Sequence, residues 1–374
     1  MRSTPPQLLL CPNPQACYDR SMSIASQSFE RILLIKPSAV GDVVHTLPVL
    51  AKLRQRYPDA QIDWLIRPEI ADLVRSHPAL SNVVLFDRRG LARFGRNWTA
   101  TVGLFRLLSQ IRRERYELVV DLHGQLRSAL FTLASRAPFR VGFERTREGA
   151  WVSYSHHIPL PTMEAHAVDR YLWLGLVLGF DATAPDFTIH LPAETDENVA
   201  RLLADRRQLG RPLAVLVPGT VWETKHWRTE GFAEVARQLL ARGYAVVLAG
   251  SPKDRPRCRQ VAEVASGVCD LSGQTTLAEM VALIRRATLC VTNDSGSMHV
   301  AVALDKPVVS VFGPTNPLRT GPYGRPLAVV QAKVECSPCY LRKLSRCPHG
   351  HLCMQQVSPA MVLERLSHLQ SEAA

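Results

Sequence analysis

The sequence lacks the short motifs of several common enzyme classes. It contains no G-x-G-x-x-G, the fingerprint of classical dinucleotide binding, and no G-x-x-x-x-G-K-[ST] phosphate loop. H-E-x-x-H, a frequent zinc-hydrolase pattern, is also missing. No apolar run approaches the roughly 20 residues that cross a bilayer, and the short LLLC patch near the N-terminus falls below a signal-peptide core of about 7–15 residues. These absences leave no sign of redox chemistry, and we expect a cytoplasmic protein.

Basic residues outnumber acidic ones, giving a formal net charge of +12. Such a surplus suits nucleic acid, an anionic membrane face or an acidic substrate equally well. The arginines are spread along the chain, however, and no RNP, zinc-finger or helix-turn-helix pattern accompanies them. A nucleic-acid-binding protein is therefore suggested by charge alone, and we expect no nucleic-acid partner.

The order of predicted elements indicates two α/β domains. From Arg31, short apolar runs such as RILLI, IDWLI and LVVDL alternate with helical stretches, and the pattern restarts near Pro212 with LAVLV, AVVLAG, LCVTND and PVVSVFG. Strands that alternate with helices of about 10–15 residues predict parallel sheets. We predict two Rossmann-like, doubly wound domains that face each other across a cleft. The predicted divisions are a disordered tail (1–29, with Met22 as an alternative start), an N-terminal domain (30–185), a C-terminal domain (186–355) and a C-terminal helix (356–374).

The loop after the first strand is a candidate site. It reads KPSAVGD and ends at Asp42. Ligands of open α/β sheets bind beyond the carboxyl ends of the strands, which is where this loop lies. A helix N-terminus nearby would keep this carboxylate ionised, so that it could accept a proton from an attacking hydroxyl. Asp42 could equally serve only as the cap of a helix that starts at Val43.

Two segments of the second half are candidates for phosphate binding. After LCVTN, Asp294, Ser295 and Gly296 open a helix whose backbone N–H groups could bind a diphosphate; the alternative is a plain helix cap. After LAVLV, Thr220 and Thr224 offer hydroxyls and Lys225 offers a positive charge, although Lys225 could also cover apolar surface neighbours.

Four cysteines near the C-terminus have the spacing C-x2-C-x7-C-x5-C: Cys336, Cys339, Cys347 and Cys353. Four such ligands suffice for a tetrahedral structural zinc. Packed free thiols are the favoured interpretation, because the second pair is not a C-x2-C knuckle.

Taken together, these segments resemble glycosyltransferase family 9, the ADP-heptose:lipopolysaccharide heptosyltransferases. The residues that carry the resemblance are RILLIKPSAVGDVVHTLPVLAKLR, VVDLHGQLRSAL, VGFERTREGAW, the KHW segment, VTNDSGSMHVAVALDKPVVSVFGPTNP and the cysteine-containing tail. The resemblance implies a GT-B fold and an inverting transfer without a bound metal, with Asp42 as general base. It places the ADP-heptose donor at Thr220, Lys225, Asp294, Ser295, Gly296 and His299, and makes Asp254 the candidate for an acidic residue that holds the ribose.

The first half is most similar to heptosyltransferase I of this family. Arg88 and Arg89 resemble its basic acceptor patch, with solvated loop charge as the alternative, and Arg147 and His166 resemble acceptor-side positions. The implied acceptor is the lipid-anchored inner core of lipopolysaccharide, at Kdo or the first heptose. The implied partner surface is the inner face of the cytoplasmic membrane, bound peripherally by a monomer.

Two further functions remain open at this point. One is a GT-B transferase with another nucleotide-sugar or acceptor. The other is a non-catalytic nucleotide-binding module, against which Asp42, Lys225 and Asp294 argue together.

Overall fold

The computed structural model describes residues 24–146 and 148–373. Most of the predicted tail therefore lies outside the described residues. Its last part differs from a solvated tail, because Ile24 and Phe29 are buried. The Phe29 ring packs edge-on against Tyr57 and Phe139, with ring centroids 5.4 and 5.2 Å away.

The first sheet has six strands, all paired in parallel, in the order β3-β2-β1-β4-β5-β6. The strands are β1 (Arg31–Ile35), β2 (Gln61–Ile66), β3 (Asn82–Leu85), β4 (Leu118–Asp121), β5 (Phe139–Phe143) and β6 (His156–Ile158). The helices of this part of the chain are α1 (Val40–Val44), α2 (Leu47–Arg56), α3 (Arg88–Leu91), α4 (Trp98–Arg113), α5 (Leu126–Ser135), α6 (Ala167–Leu172) and α7 (Gly175–Leu178). Short 3-10 helices cover Pro68–Leu73 and Ala150–Ser153.

The second sheet repeats this order as β9-β8-β7-β10-β11-β12, again with parallel pairs. Its strands are β7 (Leu213–Val217), β8 (Ala245–Leu248), β9 (Cys269–Asp270), β10 (Leu289–Asn293), β11 (Val308–Phe312) and β12 (Val329–Gln331). The helices are α8 (Ala193–Asp205), α9 (Thr229–Ala241), α10 (Arg255–Val264), α11 (Leu277–Arg286), α12 (Gly296–Ala303), α13 (Pro317–Thr320), α14 (Leu352–Gln355) and α15 (Pro359–Ala373). The 3-10 helices here are Glu223–Lys225, Pro252–Asp254, Pro326–Ala328 and Leu344–Arg346.

Both sheets are covered on their two faces. Every residue of β4, β7, β10 and β11 is buried, which explains why these strands read as continuous apolar runs rather than as alternating ones. In each sheet the strand order reverses between the first and fourth strands, β1/β4 and β7/β10, and ligands of doubly wound folds bind at such a point. The predicted architecture of two doubly wound α/β sheets is confirmed.

The chain divides into two compact units. The first comprises residues up to Ser38, Thr46–Pro68 and Pro78–Asp186, and the second comprises Ala39–His45, Glu69–His77 and the chain from Phe187 onward. The main division lies one residue beyond the predicted limit at 185/186. The segment Ala39–His45, expected in the first domain, belongs to the second unit because α1 packs on α12. The assignment of acceptor binding to the first domain and of nucleotide-sugar binding to the second stays a prediction.

Two elements were not predicted from the sequence. One is α8, which begins at Ala193, where Glu194 and Asp196 in the first turn favour a helix N-terminus. The other is the strand β12, which follows β11, the strand that the sequence suggested as the last. Along residues 24–146 and 148–373, no helix combines the length and apolar character needed to cross a bilayer.

Candidate active site

Asp42 lies within α1 rather than in the loop before it. It is the third residue of this helix, and its Oδ2 accepts a hydrogen bond of 3.0 Å from the backbone N–H of Ala39, the N-cap residue. The side chain is half-buried. Asp42 is therefore not the N-cap of a helix that starts at Val43; it stabilises the start of α1 from the third position of that helix. Its carboxylate sits at the positive end of a helix directly after β1.

Two glycines bring α1 close to α12 within the second unit. A Cβ atom on Gly41 would lie 2.5 Å from Cδ2 of His299, and one on Gly296 would lie 2.7 Å from Cβ of Val40. Any side chain at either position would force the helices apart. Gly296, predicted to admit a diphosphate, thus has a packing role that the sequence did not reveal.

His299 forms a buried pair with His45, a residue that sequence reasoning missed. Nε2 of His45 and Nδ1 of His299 are 2.9 Å apart, so one ring donates a proton and the other accepts it. The available signal was spacing, since His45 lies three residues after Asp42 and shares its helical face. The pair links the helix of Asp42 to the candidate donor-binding helix.

Lys225 and Asp294 form an ion pair that is largely shielded from water. Nζ of Lys225 is 2.6 Å from Oδ2 of Asp294, with 15% and 4% of the side chains exposed. The hydroxyl of Thr315 donates to the same oxygen at 2.6 Å. The ammonium group also lies 4.5 Å from the centroid of the Trp222 ring, which holds it over an apolar face. Thr315 belongs to the quoted GPTNP segment but was not predicted as a site residue.

The two predicted threonines have different surroundings. Thr220 is half-buried, and its hydroxyl donates to the backbone carbonyl of Asp294 at 3.2 Å. Thr224 is buried and donates its hydroxyl to the carbonyl of Leu341, which directs it toward the C-terminal segment. Asn293 joins the loops after β7 and β10, because its amide donates to Pro218 O at 2.7 Å and accepts from the backbone N–H of Trp227 at 3.0 Å.

The start of α12 carries hydroxyls beside backbone amides. Ser295 is the N-cap residue, and its Oγ lies 2.7 Å from Oγ of Ser297. The Ser295 side chain makes no capping hydrogen bond, so the first amides of α12 are not satisfied by the N-cap oxygen. Such a helix start favours an anion.

Asp254, the candidate ribose ligand, folds back onto its own turn. Its Oδ2 accepts from both the backbone N–H and the hydroxyl of Ser251, at 2.8 and 2.7 Å. A Cβ atom on Gly219 would overlap the Asp254 carboxyl group, so this carboxylate lies directly against the loop after β7.

The described acceptor candidates, Arg88, Arg89 and His166, belong to the first unit. Arg88 and Arg89 open α3 and are exposed, and Asp87 caps this helix by accepting from the Arg89 backbone N–H at 2.8 Å. An open cleft of about 490 Å³ includes Arg89 in its lining. His166 is the N-cap of α6, where its Nδ1 accepts from the Val168 N–H at 3.2 Å. Arg147 lies outside the described residues.

A buried carboxylate that the sequence did not single out organises the loop after β4. Asp121 is fully buried and accepts hydrogen bonds from the hydroxyl of Tyr154 and the backbone N–H groups of His123 and Gly124, at 2.8, 2.8 and 3.1 Å. Burial raises the pKa of Asp121, and these hydrogen bonds, together with one from Ser128, oppose that rise. Its signal was an acidic residue directly after an apolar strand.

The four C-terminal cysteines are free thiols of unequal exposure. Cys353 is buried and Cys339 is exposed. Burial, with the neighbouring cysteines as smaller causes, raises the pKa of Cys353 to about 11. In the parts of the chain that the structure describes, no three His, Cys, Asp or Glu side chains are arranged to hold a metal ion.

The two sheets share one strand order, each with its loops at the reversal point, which is the arrangement of the GT-B fold. The sequence profile of glycosyltransferase family 9 (heptosyltransferase) matches residues 104–349. The chain belongs to this family, which confirms the resemblance.

Relatives extend over most of the chain. Lipopolysaccharide heptosyltransferase 1 of Pseudomonas aeruginosa is 34% identical over 83% of this chain and 86% of its own length. Lipopolysaccharide heptosyltransferase 2 of Escherichia coli is 29% identical over 92% of this chain and 100% of its own. The solved structure of ADP-heptose LPS heptosyltransferase II of E. coli has a TM-score of 0.71 and 26% identity, covering 92% of this chain and 100% of that one.

Proposed function

We propose that this protein transfers heptose from ADP-heptose to the inner core of lipopolysaccharide, at Kdo or the first heptose, with inversion at the anomeric carbon. The donor and the lipopolysaccharide acceptor are those in the names of its relatives. The observation that carries the proposal is the close packing of α1, which bears Asp42, on α12, whose N-terminus suits an anion. A carboxylate and a diphosphate site thereby occur in one compact unit.

In this proposal the donor diphosphate binds at the start of α12 and beside Lys225. The departing ADP gathers negative charge, which the helix amides, the Ser295 hydroxyl and the ammonium group stabilise in a site shielded from water. Lys225 has three N–H donors and needs one of them for its short contact with Asp294, so it can keep Asp294 and still reach a phosphate oxygen. Thr220, Thr224 and His299 complete the proposed donor-binding set, with His299 holding α1 in place.

Asp42 acts as the general base. Its carboxylate accepts the proton of the acceptor hydroxyl while the hydroxyl oxygen forms a bond to the anomeric carbon. The bond from that carbon to the diphosphate breaks, and ADP leaves with the electron pair. A single displacement of this kind inverts the anomeric centre.

The proposed acceptor contacts are Arg88, Arg89, Arg147 and His166. Exposed guanidinium groups suit the carboxylates of Kdo, since arginine binds a carboxylate through two parallel hydrogen bonds. We further propose that the protein acts as a monomer in the cytoplasm, at the inner face of the cytoplasmic membrane.

The decisive experiment compares wild type and Asp42→Asn for transfer from ADP-heptose to Kdo2-lipid A and to a heptosylated core. Asparagine keeps the size of the side chain and an oxygen that can accept from Ala39 N–H, but it cannot take a proton. We expect kcat to fall by about 10²–10⁴-fold with ADP binding unchanged.

Glu279→Gln is a matched control. Glu279 also caps a helix of the second unit, accepting from the Thr276 backbone N–H at 2.8 Å, but that helix, α11, follows the edge strand β9 rather than a strand at the reversal point. Its variant should keep full activity. If the wild type transfers heptose to neither acceptor, the proposed reaction is wrong. If Asp42→Asn and Glu279→Gln lose activity equally, the proposed base is wrong.

A further inference from the structure

The first unit carries a surface on which aromatic rings and arginines are exposed side by side. It extends from α3 to the middle of α4, and we name it the aromatic-basic surface. Its members are Arg93, Phe94, Arg96, Trp98, Phe105 and Arg106.

The exposure of the rings is unusual for their size. Trp98 is 80% exposed, Phe105 59% and Phe94 48%. The rings of Phe94 and Phe105 are neighbours, with centroids 6.0 Å apart, so they form one apolar patch rather than isolated exposed side chains.

Polar contacts hold this turn in place without burying the rings. The side chain of Asn97 caps α4 by accepting from the Ala100 N–H at 2.9 Å, and the Gly95 N–H donates to the hydroxyl of Thr101 at 3.0 Å. Trp98 is therefore the first residue of a capped helix and projects from an ordered segment. Over its whole length α4 buries only Leu104 and Ile111.

Along the segment that carries the rings, the charged residues have a single sign. Residues 88–113 contain seven arginines and neither Asp nor Glu. Amphipathic aromatic rings lie at the headgroup level of bilayers, and clustered arginines are attracted by anionic lipids. A protein partner would have to match both an apolar patch and a long stretch without any acid, whereas an anionic bilayer offers both properties in one plane.

We propose that the aromatic-basic surface docks the protein on an anionic phospholipid bilayer. Trp98, Phe94 and Phe105 lie among the headgroups, and Arg93, Arg96 and Arg106 contact lipid phosphates. The purpose of this contact rests on the proposed function, since a lipid-anchored acceptor must be reached at a membrane. Binding to vesicles requires neither donor nor turnover, so the two proposals can fail separately.

The test is flotation of the full chain with vesicles of phosphatidylglycerol and phosphatidylethanolamine, compared with pure phosphatidylcholine vesicles. Wild type should float with the anionic vesicles only, and binding should weaken in 1 M salt, where the Debye length is about 3 Å. Arg93→Ala/Arg96→Ala should weaken binding by roughly 25-fold, about fivefold for each cationic side chain at the surface. Trp98→Ala/Phe105→Ala should reduce binding in low and high salt alike.

Arg211→Ala/Arg259→Ala is the charge-matched control, because these exposed arginines lie in the second unit and lower the net charge equally. It should bind like wild type.

Equal flotation with both vesicle types, or equal losses in the two arginine variants, would overturn the proposal. So would self-association that Trp98→Ala/Phe105→Ala abolishes in gel filtration, because the surface would then be an interface between two copies. Turnover of detergent-dispersed acceptor by Trp98→Ala/Phe105→Ala measures the proposed catalytic function independently.

Discussion

At the scale of single residues, the Lys225–Asp294 pair keeps two charges largely shielded from water in the proposed donor site. Burying two ions costs desolvation energy, which the pair offsets by its short contact and by the Thr315 hydroxyl. Without a partner, either charge would be strongly unfavourable. Removing one of these charged groups should therefore affect stability as well as the proposed diphosphate binding.

Replacing Lys225 by Met should expose this dependence. The variant keeps an apolar stem over Trp222 but leaves Asp294 without its counter-ion, and we expect the free energy of unfolding to fall by about 3 kcal/mol. Lys225→Met/Asp294→Asn should recover part of that loss. Urea unfolding measures both. Arg75→Met breaks an ion pair with Asp72 whose side chains are about half exposed, and it should cost no more than about 0.5 kcal/mol. Equal effects of Lys225→Met and Arg75→Met would contradict this account.

Asp121 predicts a specific dependence of stability on pH. Because burial raises its pKa, the folded state holds the proton more tightly than the unfolded chain does. Its contribution to stability is therefore greatest at low pH and is lost as pH rises from the unfolded value of about 3.9 to the raised folded one. Asp121→Asn should remove this slope, because an amide does not titrate. The amide oxygen can still accept from His123 and Gly124, so the loop keeps these hydrogen bonds. Urea unfolding over a pH series checks it, and an unchanged slope in the variant would disprove the assignment.

Tyr154→Phe provides a second test of the pH dependence that Asp121 causes. The hydrogen bond from Tyr154 favours the ionised form of Asp121, so its loss should extend the pH range of the slope upward.

Sequence reasoning located the candidate residues at strand ends but did not give their contacts. Asp42, Lys225 and Asp294 could be proposed as site residues because carboxylates and a lysine follow strand ends, where doubly wound folds bind ligands. Their partners could not, since the pairing of Lys225 with Asp294 and of His45 with His299 depends on how distant segments fold together. His166 and Thr224 illustrate the same limit: the structure shows a helix cap and a contact with Leu341, neither of which local sequence specifies.

At the scale of elements, the contact between α1 and α12 depends on two positions without side chains. Gly41 and Gly296 have no positive φ, so space rather than backbone conformation requires glycine there. The sequence predicted both helices but began α1 three residues late, because Val40 and Gly41 show no helical pattern on their own. Strand centres were predicted best, since β7 and β1 are uninterrupted apolar runs between polar loops.

Gly41→Ala should therefore lower stability and activity together. The new methyl group would overlap the His299 ring, and we expect a loss of about 1–3 kcal/mol in the free energy of unfolding. Gly103→Ala makes the same substitution in α4, where no atom lies within 4 Å, and should stabilise the protein by about 0.4–1 kcal/mol. Thermal and urea unfolding give the sign of each effect. Destabilisation by both variants to the same extent would show that crowding against His299 is not the cause.

At the scale of the whole molecule, each unit has a separate apolar core. One core includes Leu33, Phe86 and Phe131 in the first unit, and the other includes Trp227 and Phe232 in the second. The repeated strand order was predictable from the restart of the sequence pattern near Pro212. That Ala39–His45 belongs to the second unit was not, because its reason is tertiary packing on α12. The proposed base and the proposed diphosphate site consequently share one unit.

This arrangement predicts that ADP stabilises one part of the molecule selectively. A ligand at 100 times its Kd adds about 2.7 kcal/mol to the stability of the state that binds it. For a unit of about 200 residues, this corresponds to a rise in Tm of roughly 5–10 °C. Differential scanning calorimetry should show two transitions, with ADP raising the one that belongs to the second unit. Lys225→Met should reduce that shift, whereas Arg75→Met should leave it intact. The proposed ADP contacts, α1 and α12 all lie in the second unit. An equal shift of both transitions would therefore mean that ADP binds elsewhere or that the two cores unfold together.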